Sequence, residues 1–227
     1  MNLLQIFTKS LQDFLTKEML FLSLAPAILS LVVWAILFLA LPEPIDGVIR
    51  FLLDYIPFSD NVIIASVADF ILSLVLFLML FLTTAMILLS FVSDRVVGRI
   101  NERHYNFSAS GFATFNDILR ISVGANFRFL FTYILLLPTL FIPILNIIVH
   151  IYLWQRLLKT QMLFDAVSPY SSKEEYAHIQ QEHSMGLTFL ATLSSLLFFI
   201  PFFGTFVLIF QLILFTHFGL SKLNQGK

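Results

Sequence analysis

Four long apolar tracts separated by short polar stretches dominate the chain, and the length of each tract decides what it can do in a bilayer. Residues 19–41 are 23 consecutive uncharged positions. As a helix they reach about 34 Å at about 1.5 Å per residue, enough to cross a hydrocarbon core of about 30 Å. Pro26 lies in the first third of the run, and Pro42-Glu43-Pro44 closes it, because proline cannot extend a helix and pulls the preceding residue out of helical geometry. Residues 70–92 are a second uncharged run of the same length, with Asp69 just ahead of it. The pattern therefore predicts two crossings, over 19–41 and 69–92.

The two later tracts are interrupted. Pro138 and Pro143 break the first, and Pro201 and Gly204 break the second. Residues 187–200 make about 21 Å of helix and residues 205–220 about 24 Å, so neither piece comfortably spans about 30 Å. Half-spans meeting at a break predict re-entrant hairpins over 129–158 and 187–220, with a polar insert over 159–186. Phe141-Ile142-Pro143-Ile144-Leu145-Asn146 also aligns with Phe199-Ile200-Pro201-Phe202-Phe203-Gly204 at an offset of 58 residues, with three identities in six. Internal symmetry of this kind recurs in transporters.

Residues 1–18 place Leu3, Leu4, Phe7, Leu11, Phe14 and Leu15 at helical spacing, with Asn2, Gln5, Lys9, Gln12 and Asp13 largely opposite. This predicts an amphipathic helix on the membrane surface or against other protein. The loop over 41–61 carries Ile49, Phe51, Leu52, Leu53, Ile56 and Phe58, which predict a second short surface helix. The fold class expected is an all-α membrane protein, one domain over 1–227, with two transmembrane helices, two proline-broken re-entrant (hemi-penetrating) hairpins and amphipathic interfacial helices.

Composition strengthens this reading. The chain is 59% hydrophobic, with a mean hydropathy of +0.91 and 12% charged residues, against roughly 45–50% apolar in a soluble domain. A net charge of −1 gives no footprint for nucleic acid. With no cysteine there is no disulfide and no thiol chemistry. The N-terminus reads as retained, the first tract serving as its own insertion signal. Lys and Arg number 2 before the first span, 1 in the 41–61 loop, 5 between 92 and 129, 3 between the hairpins and 2 at the end. The positive-inside bias then puts 41–61 outside and both termini in the cytoplasm.

Few side chains invite chemistry. Ser172-Lys173-Glu174-Glu175 reads as a capping box that starts a short polar helix. His178 and Glu182 follow at i, i+4, with His183 next. Lacking a third ligand at suitable spacing they read as solvated neighbours, so no metal and no cofactor is expected. Asn146, His150, Gln211 and His217 are polar groups inside the hairpins that need partners there. Asp69, at the edge of a span, is a candidate for a proton- or ion-coupled step. The helix starts after Pro143 and Pro201 could offer amides and a positive dipole end to an anion. No hydrolase, protease or phosphate-loop motif is present, so no enzyme is expected.

Two spans, a basic stretch, and hairpins carrying Phe-Ile-Pro-x-x-Asn and Phe-Ile-Pro-x-x-Gly resemble the CysZ sulfate permeases of the etoposide-induced-protein family. Ala25-Pro26, the stretch Asp94-Arg95-Val96-Val97-Gly98, and the polar insert from Phe164-Asp165 to Ser184 add to the likeness, which covers nearly the whole chain. The resemblance implies a bacterial inner-membrane homo-oligomer that passes sulfate inward. One departure stands out: the family's Gly-Leu-Arg type motif falls on Glu18-Met19-Leu20-Phe21, leaving Lys17 as the nearest cation. An ammonium does not reproduce bidentate binding by guanidinium. The reading is an anion permease with Lys17, Asn146 and Thr205 as anion contacts, set against a non-transporting scaffold and a carrier using Asp69.

Overall fold

The computed structural model describes residues 2–40, 42–53, 62–136, 139, 142–199 and 204–225. Among them the chain is helical, without a strand. In chain order come α1 (Leu3–Phe14), α2 (Lys17–Ala40), α3 (Pro42–Leu53), α4 (Val62–His104) and α5 (Phe115–Leu135). They are followed by α6 (Pro143–Val167), α7 (Lys173–Glu182), α8 (Ser184–Leu196) and α9 (Gly204–Leu223), with a 3-10 turn over Leu197–Phe199. Four of these, α2, α4, α5 and α9, are long and apolar enough to cross a membrane.

The expected first crossing is α2, which continues through the buried Pro26 and stops at Ala40, before the prolines. The second is part of a much longer rod. α4 runs unbroken for 43 residues, about 65 Å, so its charged C-terminal turns project well beyond any bilayer. α5 begins at Phe115 rather than near 129, because the side chain and amide of Thr114 exchange hydrogen bonds with Asp117 in a capping box. α6 likewise runs on to Val167, past the expected end of its hairpin. The capping box read at Ser172 is present: Glu175 donates its amide to Ser172 Oγ at 3.1 Å, and Ser172 donates its own to Glu175 Oε2 at 2.7 Å.

α9 is the axis of the molecule. Residues 207–221 are all buried, enclosed by α1, α2, α4 and α6 with α8 joined through Gln211, which explains why α9 is largely apolar around its circumference. α1 lays Ile6, Ser10, Asp13 and Phe14 inward, and Phe7 and Phe14 meet Phe210 edge-on with ring centroids 5.5 and 5.6 Å apart. Its other apolar side, including Leu4 at 75% and Leu15 at 62%, stays exposed. The helix thus packs on protein and also presents an apolar face outward.

Polar side chains staple the other helices. Trp34 Nε1 on α2 donates to Leu80 O (3.1 Å) and Thr84 Oγ1 (2.8 Å) on α4, and Ser30 Oγ donates to Phe81 O at 2.8 Å. Asn126 on α5 donates to Gln161 Oε1 on α6 at 2.7 Å, and Gln161 passes a donor on to Met86 O of α4 at 2.9 Å. Gln211 of α9 donates to Ser194 O of α8 at 2.9 Å. These bonds need no solvent, which suits a bundle whose outer surface is oil.

Candidate functional site

A cluster of ionisable groups forms where α1, α4 and α9 converge. The end of α4 is shaped locally by Asn101, which donates Nδ2 to Phe107 O and accepts from Phe107 N, both at 2.9 Å. Asn106, with φ of 58°, takes the left-handed position that ends many helices. This turn carries Tyr105 onto α9, where its hydroxyl lies 3.1 Å from His217 Nδ1 and donates to His217 O at 3.2 Å. Asp13 Oδ2 lies 2.8 Å from His104 Nε2 and 2.9 Å from His217 Nε2. Its other oxygen accepts from Arg103 at 3.2 Å.

Outside this knot Glu18 binds Arg99 at 2.9 Å and Arg103 at 3.4 Å. Burial pushes the Asp13 carboxyl up. The hydrogen bond from His217 and the charges of His104 and His217 outweigh it, holding the group at about 2. Tyr105 is pushed up to about 12 by burial and by Asp13.

A second feature is a cleft of about 280 Å³ between α5 and α6, lined by Arg128, Arg156, Thr132, Thr160 and Tyr152. Both arginines are exposed, and neither pairs with a carboxylate among the described residues. Arg128 Nε donates to Gly124 O at 3.2 Å. The Thr132 and Thr160 hydroxyls donate back to the carbonyls of Arg128 and Arg156. Phe127, Phe131 and Tyr152 flank the cleft, at 69%, 58% and 54% exposure.

Near the end of α6, Asp165 is buried with both carboxylate oxygens lacking a hydrogen-bond partner among the described residues. Burial, reinforced by the charge of Asp94, pushes its carboxyl well above the usual range.

The sequence-predicted contacts do not gather into one site. Lys17 is the exposed first residue of α2, next to Glu18 and so at the end of the bundle where Asp13 meets His217. Val167, at the end of α6, packs against Gly219 of α9 at that same end. Asn146 is 21 residues earlier on α6, about 31 Å along the helix. Its amide donates to Ile142 O at 2.9 Å. Thr205 is the second residue of α9, about 18 Å along that helix from His217.

Pro143 opens α6 and Gly204 opens α9, while Pro138 and Pro201 lie outside the described residues. Asp69 is exposed on α4. His150 packs edge-on against Tyr133, and Gln211 joins α8 to α9. His178 and Glu182 are exposed and 3.2 Å apart.

Sequence reasoning missed the Asp13 cluster, because its members lie 91 and 204 positions apart and no local spacing joins them. It took Asp13 for the solvent side of an amphipathic helix, when the buried face is set by Ile6, Ser10 and Asp13 at helical spacing.

Apolar helices of spanning length with outward-facing hydrophobic residues, packed about a buried central helix, define a multi-pass integral membrane bundle. Residues 6–208 match the family described as Sulfate transporter CysZ/Etoposide-induced protein 2.4, and the chain belongs to that family. No curated protein and no solved structure gives a match.

Proposed function

We propose that the chain is a sulfate-type anion permease of a bacterial inner membrane. In this reading it acts as a homo-oligomer, with two spans, two re-entrant hairpins and both termini in the cytoplasm. The observation that carries the proposal is the family match over residues 6–208, whose description names a sulfate transporter.

The α5–α6 cleft supports the re-entrant reading on energetic grounds. Arg128 lies about 10 Å along α5 from Leu135, and Arg156 about 20 Å along α6 from Pro143. With the arginines at headgroup level, the tip, where Ile144 is 75% exposed and Ile148 58%, stays within a core of about 30 Å. A fully crossing hairpin would sink two exposed guanidiniums near the bilayer centre, at about 2.5–3.5 kcal/mol each or more.

Lys17 attracts the anion at the cytoplasmic end, and the starts of α6 and α9, near Asn146 and Thr205, meet it deeper in. The guanidiniums of Arg128 and Arg156 supply the fork geometry that Lys17 lacks. Uptake of labelled sulfate into proteoliposomes tests the reading. Wild-type protein should exceed empty vesicles, and Lys17→Ala or the double change Arg128→Gln/Arg156→Gln should slow initial uptake about tenfold, given about 1.5–3 kcal/mol for a hydrogen bond to a charged group. Wild-type uptake no greater than that of empty vesicles overturns the proposal.

A further inference from the structure

We propose that Asp13, His104 and His217 form a binding site for a divalent transition-metal ion of the zinc class, which ties α1 to α4 and α9. The inference rests on the cluster alone and does not depend on sulfate transport. Each residue offers one ligand atom, and these atoms all lie within 4.8 Å of one another. Both histidines turn the same nitrogen, Nε2, toward one carboxylate oxygen, at 2.8 and 2.9 Å. An ion with bonds of about 2.0–2.2 Å to imidazole and carboxylate needs small side-chain shifts to sit among the three.

The donor set is two imidazoles and one carboxylate, which suits a borderline-soft divalent ion better than magnesium or calcium. The surroundings resemble those of metal ligands elsewhere. His217 Nδ1 is engaged by the Tyr105 hydroxyl, leaving Nε2 as the nitrogen for an ion, and Asp13 Oδ1 is held by Arg103 while Oδ2 stays on the histidine side. Such partners fix the tautomer and orientation of the ligands. Nearby, Glu18 pairs with both Arg103 and Arg99, and Arg99 also meets Glu102, while Asp13 contributes its own negative charge. His217 is fully buried, but the His104 side chain is 26% exposed, so the cluster has an aqueous side for entry and for a fourth, water ligand.

The surface group His178, Glu182 and His183 makes the contrast. The His178 and Glu182 side chains are 71% and 57% exposed, and no further side chain hydrogen-bonds to them among the described residues.

The test uses tag-free, full-length protein in detergent, stripped with chelator, exposed to zinc chloride, desalted and assayed for metal. Wild type should retain about one zinc per chain, and His178→Gln/His183→Gln should match it. His104→Gln, at a partly exposed position that leaves the core intact, and Asp13→Asn should each lose it. Tyr105→Phe should retain metal with affinity reduced about 10–100-fold, the usual effect of removing such a partner. Cobalt(II) in place of zinc should give the visible bands of a low-coordinate nitrogen and oxygen site, absent in His104→Gln. Substoichiometric zinc in wild type, or zinc kept by both His104→Gln and Asp13→Asn while each elutes as a monodisperse peak, overturns the proposal.

Discussion

Asp165 sits about 13 Å past Arg156 along α6, away from the Pro143 end, yet both its oxygens are buried without a donor among the described residues. Its folded-state carboxyl titrates well above the usual 3.8 because of burial and the charge of Asp94. The folded chain therefore holds this proton more tightly than the unfolded chain does. Its stability falls relative to the unfolded state as pH rises above about 4, and levels off once pH passes the raised folded value. Asp165→Asn removes the ionisation and keeps the shape. The apparent thermal midpoint in detergent should exceed wild type at pH 8, with the gap closing toward pH 5. A variant less stable than wild type by the same amount at both pH values would show that the carboxylate has a partner worth more than its burial costs.

At the scale of the helices, close packing of α9 against α6 depends on a missing side chain. A methyl group at Gly219 would collide with the side chain of Val167, which is β-branched and has little rotamer freedom in a helix. Gly219→Ala should therefore destabilise the bundle by about 1–3 kcal/mol, the usual cost of overpacking, read as a lower apparent midpoint. Gly124→Ala, which meets nothing within 4 Å, should be neutral or mildly stabilising, and serves as the control.

The elements were legible in the sequence where hydrophobicity and caps agree. α2 ends at its prolines, and α7 begins at its capping box. The start of α5 was hidden because Asp117, Arg120 and Arg128 made residues 115–128 look like a polar linker, although Thr114 and Asp117 carry a helix-start signature. The extent of α4 was hidden for a similar reason, since a hydrophobic run marks where a helix meets oil and says nothing about where its backbone bonds stop. The clustering of Asp13, His104 and His217 depends on tertiary packing alone. A largely apolar helix such as α9 announces burial but names none of its neighbours.

On the scale of the whole molecule, large apolar side chains face outward, with Leu39 85% and Phe21 75% exposed on α2. The chain therefore needs lipid or detergent to remain dispersed. Its freedom from cysteine makes topology directly testable. A cysteine at Glu174 should react with an impermeant thiol reagent from the same face as one at Gln12. A cysteine at Ile144 should resist the impermeant reagent from both faces, yet react with a membrane-permeant fluorescent maleimide whose emission is quenched by bromine placed on lipid tails. Labelling of Ile144→Cys from the face opposite Gln12→Cys would mean that α5 and α6 each cross completely, and labelling of Glu174→Cys only from that opposite face would mean an odd number of crossings before α7.

The uninterrupted α4 extends about 65 Å and joins the His104 end of the ionic knot to the stretch around Asp69, with no proline or described break between to absorb bending. A tilt of one degree at one end displaces the other by about 1 Å over that length. A ligand that tightens or loosens the grip of α1 on His104 would thus be felt as movement on the opposite face of the membrane, transmitted by a single stiff beam.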